Sequence, residues 1–230
     1  IRISQEQEES ARAFSAAEAG LESLLATGEL FDVIYNFIFH AGIEPLGKSS
    51  TFVFPKEIGE GDTQTVWLVN HLDDDALDLD NPKSFTNFEF HWGNADLTGN
   101  DNTNPALEAV IIYQDGGGYN TRRVAFDPKT GRSDGFNETV TINKLSLIGF
   151  EDRVFSFSAN YSDDREIPSG SLYAIRIKLL YNDEAQNLGI SVEGAPLPLQ
   201  GNCYTSTASS ETTGIARKVE QCQLYPSLSG

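Results

Sequence analysis

The sequence predicts an α+β protein: an N-terminal amphipathic helix packed on an antiparallel β-sheet, with an elaborated, sandwich-like β-rich head. Residues 4–27 are rich in Ala, Glu, Leu and Gln, which are good helix formers, and they end at Gly28. From Ser49 onward the texture changes to short alternating runs separated by clusters of Gly, Asp, Asn and Pro. Those runs number about eleven, more than one open sheet usually holds, so two layers are implied. The expected organisation is a helical segment over 1–44, a β-rich head module over 45–165, and a C-terminal sheet over 166–230.

Within the first segment, Glu6, Glu8 and Glu9 lie near the positive end of the helix dipole. Phe14, Ala17, Leu21 and Leu24 recur at one helical face, and Ala13, Ala16 and Gly20 beside them permit close approach of a neighbour. Residues 4–10 have no apolar stripe and are expected to project from the body. Over residues 29–41, Leu30, Val33, Ile34, Phe37 and Ile38 also keep helical spacing. Their β-branched and aromatic character equally suits a buried strand, and helix is the expectation.

Strands are expected at 51–54, 65–71, 85–92, 107–114, 120–126, 138–142, 153–161, 172–181, 188–192, 202–207 and 215–224. In the run from Phe88 to Trp92 the aromatics fall on one face and Glu89 and His91 on the other, which predicts a half-buried strand with His91 at the surface. Gly116-Gly117-Gly118 leads from one strand into another and reads as a hairpin tip rather than a phosphate loop.

The chemistry open to such a chain is narrow. Sixteen Lys and Arg against 34 Asp and Glu give a net charge of −18, which repels phosphate backbones and excludes direct nucleic-acid binding by the surface as a whole. The longest apolar stretch, interrupted by Asp32, Asn36 and His40, is too short to span a bilayer. His40, His71 and His91 show no zinc spacing, and no nucleophile, base and orienting group can be named together, so no enzyme is expected. Two acidic loops, 73–81 and 94–102, read first as solvated turns. The alternative is a calcium site drawing on Asp73, Asp75, Asp78, Asp96 and Asp101. Cys203 and Cys222 lie opposite each other if the last two strands form a hairpin in symmetric register, which predicts a disulfide and an oxidising compartment.

The segment Ala16-Ala17-Glu18-Ala19-Gly20-Leu21-Glu22, preceded by a Gln/Glu-rich stretch, resembles the helix just past the membrane anchor in type IV pilin-like proteins of the minor-pilin kind. Arg217-Lys218-Val219-Glu220 and Tyr225-Pro226-Ser227-Leu228 look like the tail of long bacterial members. The resemblance implies a non-catalytic filament subunit outside the cell. Phe14, Ala17, Gly20, Leu21 and Leu24 would serve helix packing and assembly, and other pilin subunits would be the partners. It also implies a membrane anchor upstream: the chain opens at Ile1 without Met or a leader, and is expected to be a trimmed product. A disulfide near the C-terminus is common in that family, and Cys203 and Cys222 stand in the matching place. The rival expectation is a calcium-stabilised adhesin or lectin-like module, with Trp92 and Tyr119 contacting a host-cell or other surface ligand.

Overall fold

The computed structural model describes residues 2–29, 33–34, 36–72, 76–95, 97, 101–137, 141–146, 153–162 and 171–227. The elements in chain order are α1 (Arg2–Thr27), β1 (Val33–Ile34), β2 (Phe37–Gly47), β3 (Thr51–Val53), β4 (Thr63–Trp67), β5 (Phe85–Trp92) and β6 (Ala106–Asp115). They continue with β7 (Gly118–Phe126), β8 (Thr141–Ser146), β9 (Val154–Ser162), β10 (Ser171–Leu180), β11 (Leu188–Gly194), β12 (Leu199–Ser210) and β13 (Ala216–Leu224). The expectation of an α+β class built from a helix on a sheet is corrected. The chain is mainly β, 52% strand against 12% helix, with three antiparallel sheets and one helix among the described residues.

Much of the correction falls on residues 29–41, where helix was expected. Asn36 takes a left-handed φ of 66°, which Asn tolerates, and β2 runs on from Phe37. Phe37 and Phe39 are buried while His40 is exposed, so the inward positions repeat every second residue rather than every third or fourth. The aromatic and β-branched side chains that made this stretch ambiguous favour the pleated surface.

The chain forms two compact units, Ile1–Leu46 with Gly201–Tyr225, and Gly47–Gln200 with the C-terminal residues from Pro226. In the first, α1 ends where expected: Gly28, at φ 75°, donates its N–H to the Leu24 carbonyl at 2.9 Å and caps the helix. The sheet of this unit has the order β1-β2-β12-β13.

The second unit holds two sheets, β4-β10-β6-β7 and β3-β11-β5-β9-β8. Phe88, Phe90 and Trp92 of β5 are fully buried, and the rings of Phe90 and Trp92 lie 6.1 and 6.5 Å from Phe126 of β7. Aromatic surface from both sheets thus forms one core, as in a sandwich. The Trp92 indole N–H is satisfied by the Pro105 carbonyl at 2.8 Å. Buried Gln200 exchanges two hydrogen bonds with the backbone of Trp67, at 2.8 and 2.9 Å, in place of a strand partner. The unit's two ends are tied together, Lys48 N to the Pro198 carbonyl at 3.3 Å and Leu197 N to the Ser49 carbonyl at 2.9 Å. Gly116 and Gly117, at φ 59° and 93°, form the tip between β6 and β7, as the sequence implies.

His91, expected at the surface, is 0% exposed. Strand β5 is paired on both edges, with β11 and β9, and His91 is covered as well as its aromatic neighbours; its Nε2 lies 3.0 Å from the Ser191 hydroxyl. Burial lowers its pKa from 6.5 to about 4, because the imidazolium loses its hydration. Above pH 6.5 the ring is neutral in both states; between there and about 4 only the unfolded chain takes up the proton, so stability falls as pH falls through that window. The size of this contribution is on the order of 3 kcal/mol. Replacing His91→Gln is expected to flatten the loss of unfolding free energy between pH 7 and about pH 4.5 by about 2–3 kcal/mol, read from urea melts of variant and parent.

Candidate functional site

Helix α1 is anchored by small residues. Ala13 and Ala17 are fully buried and pack with Phe37, Phe39 and Ala208, while Leu24 is 4% exposed. At Gly20 the backbone comes so close to the sheet that a Cβ there would stand 2.5 Å from the Ser206 Oγ and 3.0 Å from the Phe39 ring. The packed seam is therefore Ala13, Ala17, Gly20 and Leu24, and it includes three of the five residues expected to serve packing. The other two lie one position round the helix: Leu21 is half-buried and Phe14 is 45% exposed. A seam of Ala and Gly was chosen because bulk would hold the helix away from the sheet.

The opposite face of α1 is open. Residues 5–8 are exposed, as expected of a stretch with no apolar stripe. Glu9 and Ser10 are not: Glu9 accepts a hydrogen bond from the Ser210 hydroxyl at 3.1 Å, and Ser10 accepts one from Arg217 at 2.6 Å. A groove beside them is lined by Ser10, Ala11, Phe14 and Arg217. A second groove on α1 is lined by Arg12, Ala16 and Ala19 together with Phe37 and Phe39. Both grooves combine apolar surface with charged rims. None of the described helices is long and apolar enough to cross a membrane.

Cys203 and Cys222 are joined by a disulfide and sit directly opposite each other in the β12–β13 ladder. The bridge follows from the symmetric hairpin that the sequence implies, with register Tyr204↔Gln221 and Thr205↔Glu220. It staples the two strands that carry α1's neighbours Ala208 and Val219.

The acidic loops are only partly within the described residues: Asp73, Asp75 and Asp96 lie outside them. Asp78 accepts a hydrogen bond from the Asn81 amide at 2.9 Å. Asp101 accepts from the Thr103 N–H and hydroxyl, both at 3.2 Å, and these bonds to its charged form lower its pKa. Among the described residues no group of three or more His, Cys, Asp or Glu is placed to hold a metal ion. Of the aromatics offered as ligand contacts, Trp92 is fully buried and Tyr119 is 69% exposed, 5.4 Å from the ring of Tyr173.

One polar cluster went unread in the sequence. Buried Asp127, just past β7, pairs with Arg132 at 2.9 Å, and Arg132 also donates to the Asn102 and Asn104 carbonyls at 2.6 and 3.3 Å. The Arg132 guanidinium lies 4.1 Å over the Tyr181 ring. The signal was the turn chemistry of Asp127-Pro128-Lys129-Thr130-Gly131, which marks a structured loop without naming its partners. Comparison with family models, characterised proteins and solved structures returns no match.

The seam makes opposite forecasts for neighbouring residues of α1. Ala17→Asp is expected to destabilise the fold by about 2–4 kcal/mol, since it buries an unpaired charge. Phe14→Asp is expected to leave the melting temperature within about 2 °C of the parent, because that side chain is not part of the packed face. Differential scanning calorimetry of the two variants checks both. Removing the disulfide as Cys203→Ser with Cys222→Ser is expected to lower stability by about 3 kcal/mol, measured by chemical denaturation against the oxidised parent.

Proposed function

We propose that this chain is a non-catalytic subunit of a type IV pilus-like extracellular filament, assembling through α1 and offering its β-rich unit for contact with surfaces. The observation that carries the reading is the division of α1 into two faces. Ala13, Ala17, Gly20 and Leu24 pack within the chain, while Phe14, an aromatic side chain on the same helix, is 45% exposed and lines a groove with Ser10, Ala11 and Arg217. A helix that serves one domain does not need apolar surface on its outer side, whereas a helix shared between subunits does. The Ala16–Glu22 motif supports the family assignment on resemblance, and the assignment does not rest on the fold class.

In this reading the partners are further copies of the same kind of subunit, and the −18 charge keeps the exposed units soluble and apart outside the contact. Any membrane contact comes through an anchor helix that continues α1 upstream.

The test uses producing cells. Surface filaments are sheared off, pelleted and probed with antibody raised against residues 47–200. The chain is expected in the filament pellet. Phe14→Asp is expected to be made and folded, yet depleted from that fraction by about tenfold or more. Recovery of the parent only from the cell interior overturns the proposal, and incorporation of Phe14→Asp at the parental level removes α1's outer face from the assembly contact.

A further inference from the structure

In the sheet β4-β10-β6-β7, Leu107, Ala109 and Ile111 of β6 are fully buried, and the alternate positions Glu108, Val110 and Ile112 are half-buried on its outer side. The register sets Arg176 of β10 and Arg123 of β7 on either side of Val110, and Lys178 and Ala125 on either side of Glu108. Residues directly opposite in a ladder share a face, so three cations gather there around one acid. Arg123 takes that acid, with its guanidinium 2.8 Å from Glu108. Among the described residues Arg176 and Lys178, both half-buried, have no ion pair. They stand two residues apart on one strand, roughly 7 Å, and face the solvent side of the sheet without a counter-charge. Tyr119, opposite Gln114 and 69% exposed, extends the same face. Exposed Tyr and Arg around partly exposed aliphatic side chains are what protein interfaces are enriched in.

The same unit carries the complement. In the chain that leaves β4, the edge strand opposite β7, Leu72 and Leu79 are 49% and 41% exposed, and Asp78 and Asp80 stand beside Leu79. The stretch is held by the main chain, Leu72 N to the Ala76 carbonyl at 2.8 Å and Asp78 N to the Asn70 carbonyl at 2.9 Å. Leucines among acids match Val110, Ile112 and Tyr119 among cations. Asp78 and Asp80 do not reach Arg176 or Lys178 within the chain, so the match is made between chains. The net charge of −18 opposes the approach of two copies. At 0.15 M ionic strength, however, charges are screened beyond about 8 Å, and the groups in contact decide.

We propose that the outer face of β10, β6 and β7 docks the acidic, leucine-bearing stretch around Asp78 of a second copy of this chain. Asp78 and Asp80 of the incoming copy pair with Arg176 and Lys178, and Leu79 packs on Val110 and Ile112. The two patches differ, so the contact is head-to-tail and repeats from copy to copy. It belongs to the larger unit and does not involve Phe14 or α1.

The experiment is sedimentation velocity of the full chain at pH 7.5 and about 0.15 M salt, up to about 1 mM protein. The parent is expected to associate as concentration rises. Arg176→Gln with Lys178→Gln, and separately Asp78→Asn with Asp80→Asn, are expected to keep the circular dichroism of the parent and to associate at least about tenfold more weakly. An equal mixture of these two variants is expected to recover a one-to-one complex, since each keeps the patch that the other has lost. A parent that stays monomeric, association untouched by either pair, or a mixture no better than its components overturns the proposal. Carbodiimide cross-linking of ¹⁵N-labelled with unlabelled parent answers without any variant: links from Lys178 to Asp78 or Asp80 between copies support the contact, and their absence overturns it. A monomeric parent that binds fluorescent alginate oligomers, with binding lost in the Arg176/Lys178 variant, assigns the face to an acidic glycan and likewise overturns it. Because the readout is association in solution, its failure leaves the filament reading standing, and the reverse holds.

Discussion

Strand β5 is third in a sheet of five, hydrogen-bonded to β11 on one edge and β9 on the other, and no edge of it is left to water. Phe88, Phe90 and Trp92 are removed from solvent completely, and so is His91 between them. Each of these aromatics removes a large area from water, so the strand carries much of the hydrophobic driving force of its unit. The same burial makes each polar group here costly to leave unpaired. The indole finds the Pro105 carbonyl, and the imidazole stays neutral beside Ser191.

The smaller unit solves a different packing problem. Its helix is held by closeness rather than bulk, since Ala13, Ala17 and Gly20 let the α1 backbone approach β2 and β12. Close approach is intolerant of additions, and the disulfide between β12 and β13 fixes one side of the surface on which the helix rests. Phe14 lies outside that packed seam and is 45% exposed.

Most strands were legible because alternation and turn residues are local signals. The run 85–92 coincides with β5, and the Gly-rich tip between β6 and β7 lies where its glycines require it. The Cys203–Cys222 pairing followed from counting outward from a turn. Three features were not legible, each because a distant element decides them. Residues 29–41 satisfy helical and pleated spacing alike, and the neighbouring strands settle the matter for β2. The α1 stripe was misread at Phe14 and Leu21, the bulkier side chains, whereas their small neighbours Ala13 and Gly20 are the ones buried. His91 occupies an alternating polar position that another layer of the structure covers.

The larger unit is inserted in the chain of the smaller one: the chain leaves after Leu46 and re-enters at Gly201, and β2 and β12, on either side of that excursion, are neighbours in one sheet. Were the intervening chain unfolded, bringing those strands together would mean closing a loop of roughly 150 residues, an entropic barrier of about 4–5 kcal/mol. Once folded, the unit holds its own ends together through Lys48 with Pro198 and Ser49 with Leu197, and the loop collapses to a short bridge. Folding of the inserted body therefore lowers the entropic cost of pairing β2 with β12 across it.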